Sequence, residues 1–335
     1  HPAIGTRVID GPITRGFDAF FGFSNSRTMS LLIKDDQLVE HVDAIDMLPL
    51  LAREATTVIS THAAPARQGN PFFLYLALNS PHTPIVPTPE WQGRSGLNPY
   101  ADFVMQTDAV VGQVLAALDE AGLARETLVL FSSDNGCSPN AGIVELKRAG
   151  HHPSGDMRGL KADIWDGGHR VPFIVRWPGM VEPGAKSDQL VCLTDLMATT
   201  AEMVGMPLPA TAGEDSVSFL PALLGPLTEP LRDTIVHHSV DGRLAIREGR
   251  WKLALCAGSG GWSEPRDAAA AANGLPPFQL YDMERDRGEQ NNLEAQNPEI
   301  LDRLRKRLGQ YVTDGRSTPG PCQPNDIPLD VLERE

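Results

Sequence analysis

Two short apolar runs, each stopping at a polar cluster, constrain this chain more than any other feature. Residues 71–78 are continuously apolar and give way to Asn79-Ser80-Pro81-His82-Thr83-Pro84. Residues 127–131 run Thr-Leu-Val-Leu-Phe and give way to Ser132-Ser133-Asp134-Asn135-Gly136. Uninterrupted apolar runs of this length suit strands covered on both faces. Between them, residues 102–121 carry Val104, Val111, Val114, Leu115 and Leu118 at helical spacing, and Gly122 falls where a left-handed C-terminal cap is wanted. Strand, helix and strand predict a right-handed crossover between parallel strands, and in such sheets ligands sit beyond the carboxyl ends of the strands. Both predicted ends carry residues able to do chemistry.

The surrounding chain extends this α/β reading. Residues 43–62 place Ile45, Leu48, Leu51, Ala52, Ala55 and Ile59 on one helical face. Residues 171–175 predict a third strand, and residues 190–204 predict a helix with Leu193, Leu196, Met197, Ala201 and Val204 inward. Residues 1–35 show no clean period. The proline-punctuated stretch 207–230 reads as a boundary. Beyond it, short strand-like pieces at 234–239, 244–247, 251–255 and 278–282 are joined by the turn signals Asp241-Gly242 and Glu248-Gly249. Residues 298–312 then predict a helix with Ile300, Leu301, Leu304 and Leu308 inward, while the alanine-rich 268–272 reads as a loop. The expected architecture is a mixed, largely parallel sheet flanked by helices over residues 1–230, with a small antiparallel α+β subdomain over 231–335.

Composition narrows the partners. Lys and Arg number 29 against 43 Asp and Glu, a formal net charge of −14 in 335 residues. That deficit of cations argues against a general nucleic-acid binder. The longest apolar runs fall short of the ~18 residues a membrane span needs, and no basic-then-apolar leader opens the sequence. Cys137, Cys192, Cys256 and Cys322 are far apart and form no zinc-type spacing, which reads as unpaired or structural thiols.

Several residues could carry chemistry. Asp134 and Asn135 put a carboxylate and an amide oxygen side by side, hard donors that suit Ca²⁺ or Mg²⁺; read alone, Asp-Asn-Gly is also a common turn. His82 sits between two prolines that stiffen its mount, a good position for an imidazole that moves a proton, although an ordinary surface histidine reads as well there. Lys161 is a compact point charge suited to an anionic oxygen, or else a solvated lysine. The pairs His151-His152 and His237-His238 could face a substrate or brace the structure, and Arg170 reads as a brace. Taken together, a cation-binding pair, a histidine and a lysine describe a site for a tetrahedral oxyanion. No GxSxG nucleophile motif is present.

These motifs resemble the sulfatase family of the alkaline-phosphatase-like superfamily. The matching text is Thr14-Arg15-Gly16-Phe17-Asp18 with Phe21-Gly22, Pro71–Tyr75, Ser80-Pro81-His82-Thr83-Pro84 and Phe131–Gly136. It continues through Gly159-Leu160-Lys161, Asp166–Pro172, Trp177-Pro178-Gly179, Gly249–Leu253 and Leu280–Met283. The resemblance implies an alkaline-phosphatase-like α/β fold and calcium-dependent hydrolysis of a sulfate ester, aryl or carbohydrate. In it Asp134 and Asn135 match calcium ligands, with Mg²⁺ as the alternative ion. His82 matches the histidine that contacts sulfate, and Lys161 matches the lysine that contacts sulfate and the leaving-group side. His152 and Trp262 are further substrate-side candidates, Trp262 through stacking on a ring or sugar face or else as a packed loop tryptophan.

The family's nucleophile is a formylglycine made from Cys or Ser in Cys/Ser-x-Pro-x-Arg, and that motif does not occur here. Cys322-Gln323-Pro324, Ser317-Thr318-Pro319 and Ser263-Glu264-Pro265 each lack Arg at the fifth place. The expectation is therefore an incomplete, inactive portion of a sulfatase whose formylglycine and first acidic metal pair belong to a missing N-terminal part. A periplasmic or secreted location follows from the export of many relatives. A phosphodiester or phosphonate hydrolase of the same superfamily, or a non-catalytic binding module on the same fold, are the alternative readings.

Overall fold

The computed structural model describes residues 3–327, which form two compact units: residues 3–128 with 138–152, and residues 129–137 with 153–327.

In the first unit, β1 (Phe21–Phe23), β2 (Leu31–Lys34) and β3 (Gln37–His41) form an antiparallel sheet in sequence order. The absence of a clean period over residues 1–35 hid these strands, because they are short and β2 to β3 slips register between Leu32 and Ile33. Helix α1 (Ala44–Arg67) buries Met47, Leu48, Leu51, Ala52, Ala55, Ile59 and Ala63, the face its spacing predicts with Met47 and Ala63 added and Ile45 only half-buried. Helix α2 (Pro99–Glu120) starts at Asn98, whose side chain accepts from the Ala101 N–H, and Gly122 follows it at φ +67° in the left-handed cap. Its buried face is Phe103, Gln106, Thr107, Val110 and Leu118 with Asp102, rotated from the predicted one: Val104 is exposed. The anchor is Asp102, whose carboxylate accepts from the Gly93 and Ser95 N–H groups at 2.8 Å each. Leu48 and Ala52 of α1 pack with Phe103 and Val110 of α2. Helix α3 (Ile143–Arg148) completes the unit.

The predicted parallel crossover is corrected. Residues 71–78 form neither helix nor ladder among the described residues, and alternate side chains are open, Phe73 at 64% and Tyr75 at 70%. A strand is defined by hydrogen bonds to a neighbour, and this segment has none in the described sheets. Every named ladder is antiparallel.

In the second unit, β4 (Val129–Ser132) pairs antiparallel with β5 (Phe173–Arg176), and between them lies the one-turn helix α4 (Asp166–His169). Helix α5 (Asp195–Met203) departs from its predicted face: Leu193, Met197 and Val204 are exposed while Asp195 and Thr199 are buried. Asp195 pairs with Arg232 and accepts from the Cys192 and Val217 N–H groups, so a polar anchor outranks the apolar stripe. After α6 (Leu220–Leu224), strands β6 (Thr234–His238), β7 (Leu244–Glu248), β8 (Trp251–Ala254) and β9 (Gln279–Asp282) form the predicted antiparallel sheet in sequence order. The alanine-rich loop is instead helix α7 (Asp267–Ala272), since alanine is the strongest helix former and Asp267 favours the first turn. Helix α8 (Pro298–Asp314) closes the order.

Period-two alternation sorts this sheet into two faces. Ile246, Leu253 and Leu280 pack on Leu301, Leu304 and Leu308 of α8. Ala245, Ala254 and Tyr281 pack on Ile164 and Trp165. The loop that carries Lys161 is thus seated on the sheet face opposite α8. Among the described residues no helix is long and apolar enough to cross a membrane. All four cysteines are free thiols.

Candidate functional site

Strand β4 ends at Ser132, and Asp134 and Asn135 follow in the turn beyond its carboxyl end. Asn135 Nδ2 donates to the Gly136 carbonyl at 3.1 Å, which leaves Oδ1 as its free oxygen. The Asp134 carboxylate is exposed. Gly136 N–H donates to the Gly168 carbonyl at 2.9 Å, and a Cβ on Gly136 would overlap the Gly167 carbonyl oxygen. Gly167 and Gly168 are equally close to the carbonyls of Arg158, Gly159, Leu160 and Asp163. Glycine is required here because three backbone segments pass within van der Waals distance of one another.

Lys161 belongs to the turn that these glycines admit. Its N–H donates to the Cys137 carbonyl at 2.9 Å, two residues past Asn135. Its side chain is half-buried, and its ammonium has no hydrogen bond or ion pair among the described residues. The structure therefore brings the segments carrying Asp134, Asn135 and Lys161 together. His82 and His152 lie in the other compact unit. His82 is half-buried, and its Nδ1 lies 2.6 Å from the Thr83 carbonyl. A carbonyl only accepts, so Nδ1 carries the proton and Nε2 is left for another group. The peptide bonds before Pro81 and Pro84 are cis. His152 is exposed.

Under the Lys161 turn lies a buried ionic cluster. Lys252, on the face of β8 opposite Leu253, is 0% exposed and donates to the Ile164 carbonyl at 3.0 Å and to Asp166 Oδ1 at 2.7 Å. It also pairs with Glu289 Oε1 at 2.8 Å, and Glu289 Oε2 accepts from the Asp166 N–H at 2.6 Å. Burial alone would raise the Asp166 pKa, but the Lys252 charge and hydrogen bond, with His237 and Arg247, hold it down to about 2. Burial raises Glu289 despite the same lysine. The His169 and His237 rings meet at a tilt of 50° with centroids 4.3 Å apart. Burial and the Lys252 charge lower His169 to about 4, and the same causes hold His237 well below the usual histidine value. Arg170 braces the loop as the sequence suggests, 3.7 Å from Asp166. Trp165 is clamped by the Arg158 guanidinium 3.6 Å above its ring.

Sequence reasoning assigns no role to Lys252, Glu289 or Asp163. A lysine inside a strand normally faces solvent. The one available signal is alternation, which puts Lys252 on the face opposite Leu253 but does not say that the face is covered.

Asp134 and Asn135 supply two oxygen-bearing side chains, whereas Ca²⁺ takes six to eight oxygens. Among the described residues no group of three His, Cys, Asp or Glu is placed to hold a metal. The pair fits calcium as one part of a ligand set.

The geometry is thus a hard-oxygen pair beyond a strand end with a lysine turn hydrogen-bonded beside it, on an α/β scaffold. The family model described as Sulfatase matches residues 7–206, and the chain belongs to the sulfatase family. It is 34% identical over 279 residues to the N-acetylgalactosamine-6-O-sulfatase of Bacteroides thetaiotaomicron, covering 80% of this chain and 51% of that protein. To human arylsulfatase A it is 35% identical over 272 residues, covering 77% and 52%. A solved Bacteroides thetaiotaomicron structure, from the metabolism of multiple glycosaminoglycans, superposes with a TM-score of 0.71 at 31% identity, covering 84% of this chain and 57% of that one. The complex of Ps i-CgsB with k-i-k-neocarrahexaose shares the fold at a TM-score of 0.72 and 22% identity, covering 93% and 70%. The chain spans about half the length of these curated relatives. The fold is the alkaline-phosphatase-like α/β fold of its sulfatase neighbours.

Proposed function

We propose that this chain works in the calcium-dependent hydrolysis of a sulfate ester carried by a small molecule or a carbohydrate. The observation that carries the reading is the Lys161 N–H bonded to the Cys137 carbonyl, which seats the lysine turn on the Asp134–Asn135 segment in a sulfatase-family chain. The names of the relatives, an N-acetylgalactosamine-6-O-sulfatase and an arylsulfatase, support a sulfate ester as substrate.

In hydrolysis the sulfur–oxygen bond to the alcohol or phenol breaks, an oxygen from water ends on sulfate, and the leaving oxygen gains a proton. Calcium, held in part by Asp134 and by Asn135 Oδ1, supplies positive charge to the sulfate oxygens when bound. Lys161 places an ammonium toward the same anion and its leaving-group side, worth most where water is excluded. His82 keeps its Nδ1 proton on the Thr83 carbonyl and uses Nε2 to bind the sulfate group and move the proton. His152 is a weaker substrate-side candidate on the same reading.

Residues 1–230 serve as the catalytic domain without its nucleophile-bearing part, and residues 231–335 as the C-terminal subdomain. The formylglycine motif is absent from the 335 residues, so this chain alone is proposed to be inactive. An exported location, periplasmic or secreted, goes with this reading. The experiment is a calcium titration of the whole chain by calorimetry together with an assay on 4-nitrophenyl sulfate. Weak calcium binding, weakened further in Asp134→Ala and Asn135→Ala, with no turnover, is the expected result. Calcium binding unaffected by both substitutions, or robust turnover by this chain alone, overturns the proposal.

A further inference from the structure

Trp262 is 44% exposed, yet the glycine-rich loop that presents it, residues 258–261, is buried. Two carboxylates hold that loop. Asp267 Oδ1 accepts from the Gly258 and Gly260 N–H groups at 3.1 Å each. Asp163 Oδ1 accepts from the Trp262 and Ser263 N–H groups at 2.9 and 3.0 Å. The other oxygen of Asp163 accepts from the Leu160 N–H at 2.8 Å, one residue before Lys161. Asp163 is 0% exposed, so one carboxylate, shielded from water, ties the backbone of the lysine turn to the backbone of the tryptophan loop. The loops also touch directly. Ile164 N–H donates to the Ser259 carbonyl at 2.8 Å, and a Cβ on Gly261 would overlap the Ala162 carbonyl. Ala162, between Lys161 and Asp163, is held at φ +83°, a left-handed conformation that alanine adopts only under constraint.

A carboxylate accepting three backbone N–H bonds inside a protein fixes its donors firmly. A large indole left in water at the rim of such a rigid assembly gives up the stabilisation its burial would bring. A fixed backbone thus links an open aromatic side chain to a turn whose lysine ammonium has no partner among the described residues. The ammonium suits an anion, and the indole suits the flat face of a ring attached to it.

We propose that Asp163 is a positioning residue that holds Lys161 and Trp262 as one substrate-facing pair, Lys161 on the sulfate and Trp262 against the ring that carries the ester. This rests on the sulfatase reading above and adds to it a specificity element and the residue that sets it. The ligand chemistry is a sulfate ester next to a flat ring face; an aromatic ring and a pyranose are its two sources.

The experiment uses the whole chain with calcium present and compares three probes by calorimetry: inorganic sulfate, 4-nitrophenyl sulfate and N-acetylgalactosamine 6-sulfate. The quantity read is the ratio of affinities, ring ester over inorganic sulfate. In wild type it exceeds one for the aryl probe, the sugar probe or both, which also tells the two sources apart. Trp262→Ala lowers it about three- to tenfold, the size of one ring contact, and Trp262→Phe restores most of it. Asp163→Asn lowers the same ratio; general loss of structure would lower all affinities together and leave the ratio unchanged. The thermal midpoint of each variant is measured alongside, and Trp262→Ala keeps the test informative if Asp163→Asn unfolds. A ratio unchanged in Trp262→Ala, or unchanged in Asp163→Asn, with sulfate still bound by wild type, overturns this inference alone. Failure of wild type to bind inorganic sulfate overturns the functional reading and this inference with it.

Discussion

Lys252 is the residue on which the site loop rests, and its energetics are lopsided. Its ammonium donates to the Ile164 carbonyl and to Asp166 Oδ1 and forms an ion pair with Glu289 Oε1, all at 2.7–3.0 Å in a site with no exposure. Removing one partner of such a group leaves the others buried and unmatched, which costs about 3–5 kcal/mol. Lys252→Met is expected to lose that much in urea unfolding, and a loss near zero would mean that Asp166 and Glu289 are not held as described. The cluster also sets an acid response. Folded His169 titrates near 4, against 6.5 ordinarily. Between those values the unfolded chain binds more protons, so stability falls as pH drops from about 6.5 to 4. Asp166 adds stability that is present above its ordinary 3.8 and lost as pH falls toward about 2. The thermal midpoint is expected to fall from pH 7 to pH 4, and His169→Gln should flatten that part of the curve; an unchanged slope in the variant would count against the assignment. None of this was legible in the sequence, because a lysine in a strand carries no mark of what covers it. Asp134, Asn135, His82 and Lys161 were legible as candidates because short polar clusters at strand ends and between prolines are local signals.

Elements whose faces are set by apolar packing were readable, and those set by a buried polar anchor were not. Helices α1 and α8 bury the residues their periods predict except the first of each, Ile45 and Ile300, which are half-buried. In α2 and α5, Asp102 and Asp195 turn the buried face toward themselves by accepting backbone N–H bonds. A hydrophobic count treats those carboxylates as solvent-facing, which is why it misplaced Val104 and Met197. The apolar run at 71–78 shows the complementary failure: its residues have strand character, but pairing is a property of the neighbour. Between β4 and β5 the close backbone approach depends on glycine. Gly136→Ala would drive a methyl group into the Gly167 carbonyl, and overpacking of this kind costs about 1–3 kcal/mol. The expected result is a lower thermal midpoint together with weaker calcium binding, since the Asp134–Asn135 turn must shift. A midpoint and a calcium affinity both equal to wild type would show that the contact is not as tight as described.

At the scale of the whole molecule, the net charge of −14 sets a condition on anion binding. A chain this acidic repels sulfate at long range, so an oxyanion is held only where fixed positive groups act at close quarters. The Lys161 ammonium has no partner among the described residues, and on the proposed reading it acts together with a divalent cation held in part by the adjoining Asp134–Asn135 pair. The most direct measurement is therefore a titration of inorganic sulfate into the whole chain by calorimetry, with and without calcium, for wild type and Lys161→Ala. Binding is predicted to strengthen with calcium and to be lost in Lys161→Ala. Sulfate affinity indifferent to both calcium and the lysine would contradict a two-part oxyanion site.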